Sequence, residues 1–308
     1  MDRRIKFRHL DAFVAIARAK SLKRGALQIN LSQPAMSKTL KDLEDILGTT
    51  LMERDRSGVR LTAQGEVFLH YAEQSIAALQ HGLTNIESLG KGTAVPLSVG
   101  AMPSVAAQFL PEAMAEFRDI SPDTVLHIEE GPHSFLVDRL RRGALDLAVG
   151  RLGLPETMVG LTFTQLYSES VVFAVAPDHP LVGNPDLMAI NDHLVVYPPK
   201  DAAIRPLVAR FLISQGVALY DRRIESTSMA IGRALALGPG RAVWVISRGV
   251  VAADVAAGHL TIPDIDTSPT AGPVGIMSRA DADLSAAARL FSRILKDRGE
   301  AHCNPAGL

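Results

Sequence analysis

Apolar residues at Leu10, Phe13, Val14, Ile16 and Ala17 recur with helical spacing and predict a helix from about Phe7 to Lys20. Ser21 stands before Leu22–Ile29 as an N-cap, and Asn30 can close that short helix in the left-handed region. Ser32 opens a third helix with Pro34 in its first turn, where the missing N–H costs nothing. Ala35, Leu40, Leu43 and Leu47 carry it to Gly48. Two short helices joined by a tight turn, the second opening Ser-Gln-Pro, read as a helix-turn-helix. Leu51–Thr62 follows, two short strands around the turn Arg56-Ser57-Gly58, which reads as a β-wing.

From about Ala63 to Leu89 there is no proline, and the glycines are Gly65 and Gly82. Leu69, Ala72, Ile76, Leu79, Leu83 and Ile86 follow one another at steps of three and four, the seam of a helix that pairs with another helix. A helix packed on its own domain gives the same pattern over so short a stretch. Gly90-Lys-Gly-Thr-Ala94 then breaks the helix and reads as a linker; it lacks the upstream strand and glycine of a phosphate loop. Beyond it, short apolar runs alternate with amphipathic stretches. Strands are expected at 95–99, 125–129, 145–149, 170–176, 194–197, 221–226, 242–247, 260–262 and 274–277. Helices are expected at 104–118, 134–142, 203–214, 228–237, 248–257 and 285–297. This alternation predicts an α/β fold with mostly parallel sheets, which bind ligands where loops leave the carboxyl ends of strands. Residues 299–308 are expected to form a disordered tail.

Charge changes the picture. The 308 residues carry a net charge of -1, but residues 1–62 hold 13 basic against 7 acidic side chains and the remainder holds 19 against 26. A basic head on an acidic body is the split expected of a nucleic-acid-binding module joined to something else. The single cysteine, Cys303, cannot form an internal disulfide, so a reducing cytoplasm is expected. Met1–Leu10 is basic with no apolar stretch behind it, so no signal peptide is expected. The longest apolar runs have strand length, far short of the ~18 residues that span a bilayer, so no membrane partner is expected. No metal-ligand spacing, cofactor fingerprint, Gly-x-Ser-x-Gly elbow, His-Glu-x-x-His or Cys-x-x-Cys occurs, so the expectation is no metal, no cofactor and no enzyme.

The chemistry of the head suits DNA. A recognition helix presents its N-terminal residues to base edges in the major groove. Gln33 can pair bidentately with adenine and Ser37 can meet base or phosphate. Lys38 and Lys41 share a face that can meet phosphates, and Arg54, Arg56 and Arg60 sit where a wing crosses the backbone. Ser32-Gln-Pro-Ala-Met-Ser37, Leu43-Glu44, Leu47-Gly48, Leu51, Arg54, and Leu61-Thr62 with Gly65 resemble the N-terminal signature of LysR-type transcriptional regulators. Met52 departs from the family's usual Phe, and Gly25 from a helical Ala, at a cost of ~1 kcal/mol in helix stability. The resemblance implies a homodimer or homotetramer on double-stranded promoter DNA, with RNA polymerase as a further partner. It carries DNA contact to Gln33, Pro34, Ser37, Lys38 and Arg54, with Ser32 and Ala35 alongside, and dimerisation to Leu69, Ile76, Leu79, Leu83 and Ile86.

The body resembles that family too, through Leu140-Arg-Arg-Gly-Ala-Leu-Asp146 and the order of its elements. The implied fold is an α/β effector domain of two lobes, periplasmic-binding-protein-like, preceded by the winged helix-turn-helix (1–62) and a long linker helix (63–92). The effector domain is expected over 93–298, with lobe I at 95–167 and 268–297, lobe II at 168–267, and crossovers at 168–177 and 264–270. Gly150–Met158, Ala242–Val251, Arg205-Pro206 and Gly272–Gly275 resemble the subgroup that controls protocatechuate catabolism, whose inducer is a carboxylated muconate-type intermediate. Sugar and other catabolic regulators of the family are the alternative. The small-molecule effector is expected among Ser104, Val105, Gly131, Pro132, His133, Arg151, Pro199 and Thr227. Ser104 and Ser134 read as helix caps beside free backbone N–H groups, and Arg151 as a partner for a carboxylate or as a structural ion pair. Glu130 would oppose an acidic inducer. Two other classes remain: an enzyme or solute-binding protein with an accessory basic head, and a nucleoid protein, which the large acidic body disfavours.

Overall fold

The computed structural model describes residues 4–55, 58–90, 95–280 and 282–303. The chain divides into two compact units, Met1–Thr93 with Arg141–Ala144, and Ala94–Leu140 with Leu145–Leu308.

In the first unit, α1 (Phe7–Ala19), α2 (Leu22–Gln28) and α3 (Gln33–Leu47) precede a two-stranded antiparallel wing, β1 (Met52–Asp55) and β2 (Gly58–Leu61), and the long α4 (Ala63–Gly90). The local signals act as the sequence predicts. Ser21 Oγ accepts from Arg24 N–H at 3.4 Å, and Ser32 Oγ from Ala35 N–H at 3.3 Å. Asn30 and Gly48 take φ of 54° and 65°. Beneath them lie Phe13, Ile16, Met36, Leu40, Leu43 and Leu51, with Phe13 packed edge-on against Phe68 of α4 at 5.2 Å. Glu44 ties α3 to the wing, its Oε1 accepting from Leu51 N–H at 2.8 Å and Met52 N–H at 3.1 Å.

Two glycines serve close backbone approach. A Cβ on Gly65 would lie 2.0 Å from the Leu51 carbonyl oxygen, so α4 can leave the wing at this angle only with glycine there. A Cβ on Gly25 would lie 3.0 Å from the Ala15 backbone, so its helix-propensity cost accompanies a close crossing of α2 over α1. The seam of α4 is divided. Leu69, Ala72 and Ile76 pack on the head's core, while Leu79, Leu83 and Ile86 are exposed.

The second unit holds two sheets. The first has the order β4 (Leu126–Glu130), β3 (Leu97–Ala101), β5 (Leu147–Arg151), β11 (Gly272–Arg279), β6 (Leu161–Glu169). The second has the order β7 (Val171–Ala174), β10 (Val243–Ser247), β8 (Val195–Tyr197), β9 (Arg223–Glu225). The sheets are mixed rather than mostly parallel: β3, β4 and β5 run parallel, as do β8, β9 and β10, but β11 is antiparallel to both its neighbours and β7 to β10. Helices cover them: α5 (Leu110–Ile120), α6 (His133–Arg141) and α11 (Ala286–Cys303) on the first, and α7 (Pro180–Gly183), α8 (Arg205–Ser214), α9 (Met229–Leu237) and α10 (Arg248–Ala256) with the second. Each sheet has its own core, around Phe117, Phe291 and Leu97 in one lobe and Tyr197, Tyr220 and Phe211 in the other.

Several expectations need correction. Strand β6, nine residues long, is missing from the sequence reading, and 260–262 supplies only the bridge of Thr261 to Val175. The final helix runs through residues 299–303 to Cys303, so the disordered tail does not begin at 299. The linker 91–94 lies outside the described residues. No helix among the described residues is long and apolar enough to cross a membrane.

Gly65→Ala should lower the stability of the head by about 3 kcal/mol, because the new methyl meets a backbone carbonyl that cannot rotate away. Calorimetric melting of the full-length protein reads this directly, and an unchanged head transition would contradict the close approach.

Candidate functional site: a recognition face and an inter-lobe cleft

Helix α3 is two-sided. Met36, Leu40 and Leu43 point into the core, which turns Gln33, Pro34, Lys38 and Lys41 outward, where they are exposed. Ser37 and Ala35 are half-buried on the same side, and Ser32 is exposed with its hydroxyl engaged as the cap. Arg60 is exposed on β2. Arg54 lies on β1 opposite Val59; Arg56 lies outside the described residues. The face therefore gathers a bidentate amide at the helix start and two lysines behind it, with Arg60 on the wing.

In the second unit all six parallel strands end at one cleft of about 450 Å³ between the lobes. The turns after β3, β4 and β5 contribute Ser104, Glu130–His133 and Arg151. Those after β8, β9 and β10 contribute Pro199, Thr227 with Ser226 and Ser228, and Ser247. Seven of the eight effector residues named from the sequence line it: Ser104, Gly131, Pro132, His133, Arg151, Pro199 and Thr227. Val105 does not. It is fully buried in the core of lobe I, and its N–H donates to the Met102 carbonyl. The helix starts earlier than its serine suggests, so Ser104 is already helical, with φ −64° and ψ −35°, and caps nothing. The N–H groups of Val105 and Ala106 both go to Met102 O, so they are not free at that turn as the sequence reading expects. A π-turn over Val105–Phe109 then shifts the helix face before α5, a local irregularity often found beside functional sites. Ser134 likewise lies inside α6 rather than capping it.

Arg151 forms the polar floor of the cleft. It is 3% exposed; its Nη2 donates to Glu169 Oε2 at 3.3 Å and to Ser247 Oγ at 3.3 Å, and its Nε to Ser247 Oγ at 3.4 Å. Burial pulls the guanidinium below the ordinary arginine pKa, and the Glu169 carboxylate opposes that shift. Its Nη1 has no acceptor among the described residues. Glu169 is equally enclosed, and its Oε1 accepts from Gly249 N–H at 2.8 Å. Sequence reasoning missed Glu169, Ser247 and Gly249. The last two lie in the stretch 242–251 that stood out as less generic, whereas Glu169 sits in the unrecognised strand β6.

His133 is held by the stretch 150–158. The Thr157 hydroxyl donates to Leu154 O at 2.7 Å, so at 3.0 Å it accepts from His133 Nε2–H, which places a proton on Nε2. The imidazole lies over Gly153, where a Cβ would come within 2.0 Å of Nε2. Glu130 is exposed at the rim. Among the described residues no three or more metal-ligating side chains are grouped.

Residues 7–66 match the family model described as the bacterial regulatory helix-turn-helix protein, lysR family, and residues 90–300 match the LysR substrate binding domain. The chain belongs to the LysR family of bacterial transcriptional regulators. This LysR-type regulator is 42% identical over 301 residues to the HTH-type transcriptional regulator PcaQ of Agrobacterium fabrum, covering 96% of each chain. It is 33% identical over 299 residues to the HTH-type transcriptional regulator YdcI of Escherichia coli, again covering 96% of each. These relatives are named regulators, not enzymes. Its fold is that of full-length CbnR complexed with its target DNA, with a TM-score of 0.59 at 21% identity, covering 96% of this chain and 100% of that one. It is also that of LysG from Corynebacterium glutamicum with bound effector Arg, with a TM-score of 0.60 at 19% identity, covering 96% and 98%.

In this regulator, Arg151→Met should destabilise the effector domain by about 3–5 kcal/mol by stranding the Glu169 carboxylate. Arg151→Met with Glu169→Met should recover most of that loss in urea unfolding. Additive losses would show that the two charges are not a pair.

Proposed function

We propose that this LysR-type regulator binds promoter DNA as a homodimer or dimer of dimers and responds to an acidic intermediate of aromatic catabolism, of the protocatechuate type. One observation carries the effector reading: a nearly fully buried guanidinium, that of Arg151, lines the cleft as its cation. An ionised carboxylate is the group that best completes it, through charge-assisted hydrogen bonds. Ser104 and Thr227 line opposite walls of the same cleft and can orient a ligand's oxygens. The likeness to PcaQ across nearly the whole chain supports the same class. The domain limits that fit are a head to residue 62, a linker helix to about 92, and an effector domain beyond it. RNA polymerase contact and a cytoplasmic site of action belong to the same proposal.

On DNA, Gln33 reads a base, Ser37 and Lys38 meet base or backbone, and Lys41, Arg54, Arg56 and Arg60 neutralise phosphates. The exposed Leu79, Leu83 and Ile86 on α4 support pairing through that helix, which would set two recognition helices on two half-sites. Effector binding between the lobes would shift the populations of two assemblies on the operator.

A second reading follows from Glu130. A carboxylate at the rim suits a hydroxyl-rich effector, such as a sugar, that donates to it. A thermal-shift screen of the full-length protein against aromatic-catabolism acids and against sugars separates the two, because a bound effector raises apparent stability. The expected outcome is stabilisation by carboxylates, enlarged in Glu130→Gln, where one opposing charge is gone. Stabilisation by sugars alone, reduced in Glu130→Gln, would overturn the acidic-effector reading.

Gln33→Ala should cost about 1–3 kcal/mol of discrimination at one operator position and leave the others unchanged. Selection of bound sequences from a random pool measures it, and an unaltered preference would remove Gln33 from base readout.

A further inference from the structure

Four groups meet where the lobes join. Arg151 ends β5 of lobe I, Glu169 ends β6 at the crossover, and Ser247 and Gly249 lie at the start of α10 in lobe II. Glu169 divides its two oxygens between them: Oε2 takes Arg151 Nη2 and Oε1 takes the Gly249 N–H. Gly249 is required for that approach, since a Cβ there would lie 2.6 Å from Glu169 Oε1 and 2.9 Å from Ser104 O. The carboxylate thus touches the cation of the cleft with one oxygen and the N-terminus of a lobe II helix with the other.

We propose that Glu169 is a positioning residue that couples the occupancy of Arg151 to the seating of lobe II on lobe I. The inference rests on the reading of the cleft as a carboxylate site. Arg151 has two nitrogens committed and Nη1 uncommitted. An effector carboxylate drawn to the Arg151 charge from the cleft makes two anions share one cation. The attraction between Arg151 and Glu169 weakens, and Glu169 turns more of its charge to the other positive group within reach, the N–H end of α10. That shift draws lobe II toward Glu169 and Ser104. Coupling of this kind needs no contact between the effector and lobe II, because the carboxylate carries it.

Glu169→Gln separates the two contacts. The amide oxygen can still accept from Gly249, while the amide nitrogen offers Arg151 no acceptor. The full-length protein is titrated by calorimetry with protocatechuate and cis,cis-muconate as probes, an aromatic and an open-chain carboxylate, and amide hydrogen exchange is followed across residues 249–256. For whichever probe binds the wild type, Glu169→Gln should bind it about threefold or more tighter, the scale of one screened like charge removed. The slowing of exchange in α10 that the probe causes in the wild type should be lost. Unchanged affinity, or α10 slowing of wild-type size, overturns the proposal. Loss of binding together with loss of thermal stability assigns Glu169 a structural role alone and overturns it too.

If neither probe binds the wild type, the carboxylate reading fails, and the coupling is decided without ligand. Arg151→Gln should speed exchange at Gly249 about fivefold or more, as expected when a local bond loses its orienting partner. Arg151→Lys, which keeps the charge, should restore part of the protection. In a Glu169→Ala background the Arg151→Gln change should add nothing. Exchange at Gly249 that ignores Arg151 refutes the coupling.

Discussion

The antiparallel pairing of β6 with β11, carried to its last pair at Glu169 and Gly272, is the constraint on which the sensing body depends. The chain passes from the first sheet to the second just beyond that pair and returns just before it. Val171 N–H donates to Thr270 Oγ1 at 2.8 Å, and Thr270 Oγ1 donates to Thr267 O, so the outgoing and returning strands are bonded to each other as they cross. Two crossings held side by side leave the lobes one narrow joint. They also put the carboxyl ends of six parallel strands, three from each sheet, on the two sides of that joint. The cleft follows from topology before any side chain is considered.

What the side chains add is an electrostatic problem placed at the joint. Burying an ion pair is costly, and a pair with long contacts of 3.3 Å and an incompletely bonded guanidinium is not a stability device. An apolar pair of similar size would serve the fold as well. In the proposed reading, the cation held there by one carboxylate and one hydroxyl is a binding group kept in place. The body carries more acidic than basic side chains, so an anionic effector is repelled on average. For the proposed anionic effector, local charge would then do the recognition, and a desolvated arginine would act with little screening.

The parts of this arrangement legible in the sequence are those governed by short-range rules. Ser21, Ser32, Asn30 and Gly48 each act as their chemistry dictates because caps and left-handed turns depend on a few neighbouring residues. The inter-lobe residues were found because turns after parallel strands are the default ligand positions, and the order of strands and helices was readable. The misses have a common cause in distance along the chain. Strand β6 is an edge strand in which Leu161 and Phe163 alternate with Thr162 and Thr164 before Gln165 breaks the alternation at a shift of register; its partner β11 lies more than a hundred residues away. With β6 unseen, Glu169 had no place in the sheet and could not be matched to Arg151. Val105 failed for a smaller reason. The helix begins before Ser104 and a π-turn follows, so face assignments counted from a presumed cap rotate Val105 into the core.

The linker helix shows how one periodic pattern can serve two purposes. Leu69, Ala72 and Ile76 continue the seam of Leu79, Leu83 and Ile86, and nothing in the spacing separates the two sets. Burial separates them. The first set lies on the core of the head beside Phe13 and Phe68, and the second has no covering surface within its own unit. The first turns of α4 are therefore fixed to the recognition helix through the head's core. A second copy paired along the remaining turns would act on the head through a continuous helix rather than across a loop. Glycine at 65 matters here, because the close approach to Leu51 sets the direction in which α4 leaves the wing. In the proposed dimer the direction of α4 would set where the second head can stand on DNA, so a single backbone contact at Leu51 would constrain the half-site spacing.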